Sequence, residues 1–274
     1  MKIAVLGSTG MLGHKMVERL QLHYPEVIGL SRTNGLDARD LTRTENMFRL
    51  IRPQVIVNCV GTIKQRTSNA EEVIAVNALF PHFLQRICTD MSMRLIHFST
   101  DCVFSGKRGQ YTESDTPDPT DHYGYTKAMG EILFDKALTI RTSIVGREKS
   151  NHHGLLEWFL RQQGEIQGYE NAIWTGVTTN WLADTVSALI DANVPLSGLY
   201  NIASFPVSKF RLLELFQKVY NRTDIRINPT DNGNTCDRSL KGNTFRDATG
   251  IRTPDIADLL VAQREQDKES GYAV

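Results

Sequence analysis

The sequence predicts an α/β chain: a doubly wound parallel sheet with a smaller carboxyl-terminal lobe. Three observations carry this. Strand-like and helix-like patterns alternate from the first residue to about residue 143. The chain opens on a strand, a glycine-rich turn and a helix. Its 274 residues suit one large domain, or a core with a smaller lobe.

Lys2-Ile3-Ala4-Val5-Leu6 is a short apolar stretch of the kind a buried parallel strand carries. Gly7-Ser8-Thr9-Gly10-Met11-Leu12-Gly13 follows. Leu12, Met16, Val17 and Leu20 then recur at helical spacing. Such a turn leaves unpaired backbone N–H groups above the helix start, where the helix dipole favours an anion. Gly7 suits the tight turn, Gly10 the approach of a pyrophosphate, and Gly13 close packing of helix on strand. The spacing GxxGxxG is a variant of the dinucleotide fingerprint, so residues 7–13 are candidate cofactor ligands.

Residues 27–31 read as the second strand, with Arg32 at its end. No acidic residue stands between Val27 and Gly35 to hold ribose hydroxyls, whereas an Arg accommodates a 2′-phosphate. The expected cofactor is therefore NADPH, with NADH the alternative. Residues 36–41 suggest a short third strand ending at Asp40. Thr42 is placed to cap the next helix, with Glu45 at the capping-box position. That helix stops before Pro53. Residues 54–61 form a buried strand ending in Gly61, and an amphipathic helix covers about 70–90. Residues 94–98 are the next strand, running into Ser99-Thr100-Asp101. Small hydroxyl residues at the carboxyl end of a parallel strand lie on the ligand side of such a sheet. The loop over 105–120 is long enough to suggest function. A helix over 123–136 and a sixth strand over 138–143 complete the pattern.

Residues 1–150 thus read as a dinucleotide-binding domain and 151–274 as mainly a substrate lobe, with interleaving allowed. In the lobe, helices are expected at 154–163, 179–192, 208–220 and 255–266, and strands at 198–203 and 224–230.

Tyr123 and Lys127 are four apart and share one helix face. A free phenol, with a pKa of about 10, is a poor acid or base at neutral pH. A neighbouring ammonium lowers that pKa. A phenol so tuned gives a proton to a carbonyl oxygen as hydride reaches the carbon, and Thr100 is placed to hydrogen-bond the same oxygen. Thr100, Tyr123 and Lys127 are the candidate catalytic residues.

Formal net charge is zero, with 41% hydrophobic and 23% charged residues. No nucleic-acid or anionic-membrane partner is implied. No apolar run approaches the roughly 18–20 residues of a membrane span, and no signal-peptide pattern opens the chain. Cys59, Cys88, Cys102 and Cys236 are scattered and read as free thiols, which points to a cytoplasmic, metal-free protein. His152 and His153 lack a third ligand and read as surface residues.

The sequence resembles the extended short-chain dehydrogenase/reductases, which carry a Rossmann sheet, in Gly7 to Gly13, Asn58-Cys59-Val60-Gly61, Asn77, Thr100 and Tyr123-x-x-x-Lys127. Within them it is similar to the dTDP-4-dehydrorhamnose reductase family. The stretches are Arg52-Pro53-Gln54-Val55-Ile56-Val57-Asn58, Ser99-Thr100-Asp101-Cys102-Val103-Phe104-Ser105-Gly106 and Tyr123-Gly124-Tyr125-Thr126-Lys127. The resemblance implies NAD(P)H-dependent reduction of a 4-keto-6-deoxyhexose on a nucleoside diphosphate, in deoxysugar or surface-polysaccharide synthesis. Tyr123 would be the acid and Lys127 its partner, also holding the nicotinamide ribose. Thr100 would orient the keto oxygen. Asp40 and Leu41 would flank the adenine. Cys59, Val60, Gly61 and Thr62, with Asn77 and Ser99, would line the dinucleotide, and Thr142, Ser143 and Ile144 would border the nicotinamide. Arg238 is the candidate for the sugar diphosphate, and Cys102 and Trp174 also fall on the substrate side.

Cys59-Val60-Gly61, Cys102 and the basic stretch Thr62-Ile63-Lys64-Gln65-Arg66 depart from the family pattern and leave the sugar open. Two alternatives stand beside the reductase. One is a sugar-nucleotide epimerase or dehydratase of the same superfamily. The other is a non-catalytic NADP-binding subunit like the regulatory subunit of methionine adenosyltransferase. A homodimer is left open.

Overall fold

The computed structural model describes residues 1–274 apart from 64–66, 68, 135, 150–151, 192–195, 232, 234 and 273–274. Among them the strands are β1 (Lys2–Leu6), β2 (Glu26–Leu30), β3 (Val55–Asn58), β4 (Arg94–Ser99), β5 (Leu138–Arg141), β6 (Ile144–Val145), β7 (Gly164–Tyr169), β8 (Ala172–Trp174), β9 (Val177–Thr178), β10 (Gly198–Asn201), β11 (Val207–Ser208), β12 (Ile225–Thr230) and β13 (Cys236–Asp237). The helices are α1 (Met11–Gln21), α2 (Leu41–Ile51), α3 (Ala70–Ile74), α4 (Phe80–Asp90), α5 (His122–Met129), α6 (Leu155–Leu160), α7 (Thr179–Asp191), α8 (Lys209–Val219), α9 (Asn243–Thr249) and α10 (Ile256–Glu269).

The central sheet runs β10-β5-β4-β3-β1-β2, and every pairing in it is parallel. Strand pleating sorts its side chains onto two faces. Ile3, Val5, Val57, Ile96 and Phe98 join one core with Leu12 and Met16 of α1 and Leu182 and Val186 of α7. Ala4, Leu6, Ile56 and Leu95 join the other with Phe48 of α2 and Phe80 and Leu84 of α4. Both faces are covered, which is why the strands read as near-continuous apolar runs.

The strand expected over 36–41 does not form. Asp37 accepts the Arg39 backbone N–H at 2.9 Å and grips the Arg39 guanidinium at 3.0 and 2.8 Å. This local turn chemistry outcompetes a ladder. The third strand is therefore β3, and the strand after α5 is the fifth rather than the sixth. Asp40, not Thr42, caps α2, accepting the Arg43 N–H at 3.0 Å. The helix expected over 123–136 stops at Met129, where Gly130 passes so close to Asn77 that a Cβ there would overlap the Asn77 carbonyl. The helix over 70–90 carries a π-helical turn, Ala75–Leu79, around Asn77. Such turns often mark functional positions.

Gly198–Asn201 returns to the central sheet as β10 beside β5, so the carboxyl-terminal half interleaves with the first. The rest of that half lies in small sheets: β11-β8-β13, β12-β7 and β6-β9. The long 105–120 loop straps this half down. Tyr111 bridges to Leu240 and stacks on Phe104 at 4.0 Å, and the Gln110 N–H reaches Ser239 Oγ at 2.8 Å.

A Cβ on Gly13 would overlap the Gly7 carbonyl. Overpacking of this kind costs about 1–3 kcal/mol. Denaturant unfolding of Gly13→Ala is expected to show that loss; unchanged stability would mean the turn has slack.

Candidate active site

The glycine turn leaves β1 at Gly7, whose φ of 76° lies in the left-handed region that favours glycine. The N–H groups of Gly7 and Ser8 bond the Leu30 carbonyl at 2.8 and 3.1 Å, and Gly10 N–H bonds the Gly7 carbonyl at 2.9 Å. A Cβ on Gly7 would stand 2.9 Å from the Cys59 carbonyl oxygen. The start of α1 has no side-chain cap and no acidic residue in its first turn. Its orphan N–H groups thus remain for an anion. This bare cradle fits the pyrophosphate of a dinucleotide. Thr9 is exposed, Ser8 and Met11 are half-buried, and the Leu12 side chain is core.

Arg32 sits on a short 3-10 turn after β2, largely exposed and 3.9 Å from Glu72. Beside it an open groove of about 560 Å3 is lined by Asp37, Arg39, Asp40, Leu41 and Thr42. Arg39 brings a second guanidinium that the strand assignment over 36–41 concealed.

Asn77 clamps the segment after β3. Its amide donates to the Thr62 carbonyl at 2.8 Å, and its carbonyl accepts the Thr62 N–H at 2.9 Å. The amide also reaches Thr126 Oγ1 on α5 at 3.3 Å. Cys59, Val60, Gly61 and Thr62 thereby form a fixed wall beside the glycine turn. Burial pushes the Cys59 thiol up, so it stays protonated. Lys64, Gln65 and Arg66, the basic part of the unfamiliar stretch, lie outside the described residues.

Thr100 follows β4, and its Oγ1 accepts the Cys102 N–H at 3.1 Å. Asp121 caps α5 by accepting the Gly124 N–H, which sets Tyr123 on the first turn. The Thr100 hydroxyl donates to Asp101 Oδ1 at 3.0 Å and lies beside the Tyr123 phenol. Burial raises the pKa of that phenol, and the nearby Thr100 hydroxyl only partly opposes it. The lowering by Lys127 expected from sequence is not what this geometry gives. The Lys127 ammonium donates to the Phe98 carbonyl at 2.6 Å. Burial brings its pKa down to about 8, while the Glu131 carboxylate works the other way.

Glu131 was not visible as a site residue in the sequence. It accepts the Ser99 hydroxyl at 2.6 Å and pairs with Arg141 through two bonds of 2.7 and 2.6 Å, with both side chains almost fully buried. The Ser99 hydroxyl is therefore committed to the core beneath Lys127 rather than turned to a ligand.

Beyond β5, Thr142 is buried and Ser143 Oγ accepts the Trp174 indole N–H at 2.7 Å. Ile144 lies in β6, paired with Val177. Trp174 is buried, a floor joining the strand end to the lobe. Arg238 Nη1 reaches the Cys102 sulfur at 3.4 Å. Burial pushes the Cys102 thiol up to about 12, so it meets a ligand as a neutral group. Asp40 and Leu41 stand at the groove by β2, Thr100, Tyr123 and Lys127 at the carboxyl edge of β4, and Arg238 and Trp174 across from them.

Among the described residues no group of three or more His, Cys, Asp or Glu is placed to hold a metal ion. No helix is long and apolar enough to cross a membrane. A parallel sheet, a bare glycine cradle and a Thr–Tyr–Lys set at the strand ends define an oxidoreductase of the short-chain dehydrogenase/reductase type. The chain belongs to the RmlD substrate binding domain family, whose model matches residues 1–239. It is 30% identical over 222 residues to a probable low-salt glycan biosynthesis reductase, Agl14, of Haloferax volcanii, covering 73% of each chain. It is 26% identical over 222 residues to a dTDP-4-dehydrorhamnose reductase of Mycobacterium tuberculosis, covering 76% of this chain and 72% of that one. In fold it matches dTDP-4-dehydrorhamnose reductase of Bacillus anthracis, solved with NADP, at a TM-score of 0.86 and 21% identity, over 97% of this chain and 99% of that one.

Proposed function

We propose that the protein reduces the 4-keto group of a nucleoside-diphosphate 4-keto-6-deoxyhexose with NADPH, in deoxysugar or surface-polysaccharide synthesis. The observation that carries this is the placement of Tyr123 on the first turn of α5, its phenol beside Thr100 at the carboxyl end of β4 and its pKa raised by burial. A ketone taking up a hydride gains negative charge on oxygen and needs a proton there. A protonated phenol in that place can donate the proton. NADPH supplies the hydride when bound. Gly7 to Gly13 cradle its pyrophosphate, Asp40 and Leu41 the adenine, and residues 59–62 with Asn77 the segment between. Lys127 exchanges its bond to the Phe98 carbonyl for the nicotinamide ribose, and Thr142 to Ile144 border the ring. Thr100 orients the keto oxygen. The relatives named as reductases support the substrate class.

Residues 1–150 act as the cofactor domain and 151–274 mainly as the substrate lobe. The free thiols support a cytoplasmic location. Leu79, Tyr125, Met129, Leu133 and Phe134 are exposed. Apolar surface of this kind marks an association site, and we assign it to a second copy of the chain. The test of function is NADPH oxidation across a panel of dTDP-, UDP- and GDP-linked 4-keto-6-deoxy sugars; no oxidation with any of them overturns the reading.

Two further outcomes follow from the ends of the site. Arg32 with no acidic neighbour on its strand favours a 2′-phosphate. Arg32→Ala is expected to weaken NADPH by at least about 1 kcal/mol, the low end for a charge-assisted bond, and to spare NADH. Equal loss for both cofactors removes this role. Arg238→Ala is expected to raise KM for the sugar nucleotide with NADPH affinity unchanged, and an unchanged KM returns Arg238 to a structural part.

A further inference from the structure

A small sheet gathers two cations opposite the catalytic loop. Val207 pairs with Trp174 and Ser208 with Ile173 in the antiparallel ladder of β11 and β8. Cys236 pairs with Ala172 and Asp237 with Ile173 in the parallel ladder of β13 and β8. Side chains alternate along a strand. One residue further along each ladder, Lys209 comes opposite Ala172 and Arg238 opposite Trp174. Both then leave on the face that carries Trp174 and Cys236. The contacts agree. Lys209 Nζ lies 5.2 Å from the Trp174 ring centroid, and Arg238 Nη1 lies 3.4 Å from the Cys102 sulfur. Asp101, Cys102, Cys236 and Arg238 all act electrostatically on Lys209. Among the described residues neither cation has a carboxylate within 4.0 Å. Arg238 Nε is buried without a hydrogen-bond partner, and burial lowers the pKa of Lys209.

Two cations sharing a partly dry face repel; Asp101 acts favourably on both and Asp121 on Arg238, but neither carboxylate closes to ion-pair distance. Such groups are stable in company with an anion. The dinucleotide pyrophosphate has its own cradle at Gly7 to Gly13. The Lys209 and Arg238 face borders Asp101 and Cys102, which follow directly on Thr100.

We infer that Lys209 and Arg238 form a two-point clamp on the diphosphate of the sugar nucleotide, making Lys209 a specificity-determining residue that selects diphosphate over monophosphate. This rests on the ketoreductase reading above. Trp174 holds the ammonium in place by its ring face, and the fork of Arg238 takes the second phosphate.

The test is calorimetric titration of thymidine, uridine and guanosine diphosphates, and the matching monophosphates, into the full chain and its Lys209→Met and Lys209→Arg variants. NADPH affinity reports that each variant holds the fold, with Lys209→Gln as the replacement should Lys209→Met fail that control. The unaltered protein is expected to prefer one diphosphate over its monophosphate. Lys209→Met should weaken that diphosphate at least about tenfold, the size of one charge-assisted contact, and leave the monophosphate within about threefold of its original affinity. Lys209→Arg should restore most of the loss, and in turnover Lys209→Met should raise KM while kcat holds. Undiminished diphosphate binding by Lys209→Met overturns the clamp and leaves the ketoreductase reading standing. An unaltered protein that binds none of the nucleotides overturns both.

Discussion

Tyr123→Phe is expected to keep the fold and bind NADPH while its turnover falls at least about 100-fold, the low end of what general acid catalysis contributes. One hydroxyl is lost, the one that lies beside Thr100 at the carboxyl end of β4. Thr100 remains to orient the keto oxygen, but an aliphatic hydroxyl is too weak an acid to take over. Burial raises the phenol and lowers Lys127 to about 8. The proton donor therefore stays loaded across the neutral range, whereas the ammonium beside it is charged only below about pH 8. Turnover should accordingly decline as pH rises through about 8. Stopped-flow NADPH oxidation checks both points. Near-normal turnover of Tyr123→Phe would sink the reductase mechanism and favour a non-catalytic, NADP-binding subunit.

Glu131→Ala is expected to cost about 3–5 kcal/mol, the loss found when one partner of a buried ion pair is removed. Arg141 would be left charged and buried, its guanidinium 5.0 Å over the Phe104 ring with no carboxylate to meet it. The Ser99 hydroxyl would lose its acceptor as well. Denaturant unfolding measures this, and a loss under about 1 kcal/mol would show that the pair contributes little. The milder Glu131→Gln separates stability from chemistry. The carboxylate raises the pKa of Lys127 against the effect of burial. Without it the ammonium loses its proton at lower pH, so the alkaline fall in turnover should move to lower pH. An unmoved profile would confine Glu131 to holding Arg141.

Much of the site was legible in the chain because its parts are local in sequence. The glycine turn, the Thr100 strand end and the Tyr123–Lys127 spacing each need only a strand, a turn or one helical face to be read. Glu131 was hidden because Gly130 ends α5 one residue earlier and turns the carboxylate into the core. Arg39 was hidden because the alternation over 36–41 imitates a strand, while Asp37 closes a turn on it. Lys209 was hidden because its meaning depends on register: β11 and β13 are two-residue strands, too short to leave a periodic signal, and only their pairing with β8 brings Lys209 and Arg238 to one face.

From its residues alone the chain set the parallel sheet, through alternation along its first half, and the glycine turn and the shared helix face of Tyr123 and Lys127, through patterns spanning fewer than about fifteen residues. Three things required the folded molecule. The return of Gly198–Asn201 to the sheet depends on pairing with β5. The protonation of Tyr123 and Lys127 depends on burial, which shifts both away from the simple ammonium–phenol tuning of an exposed pair. The face shared by Lys209, Trp174 and Arg238 depends on three strands meeting from distant parts of the chain. Burial and register arise only when remote segments pack, and no local pattern encodes them.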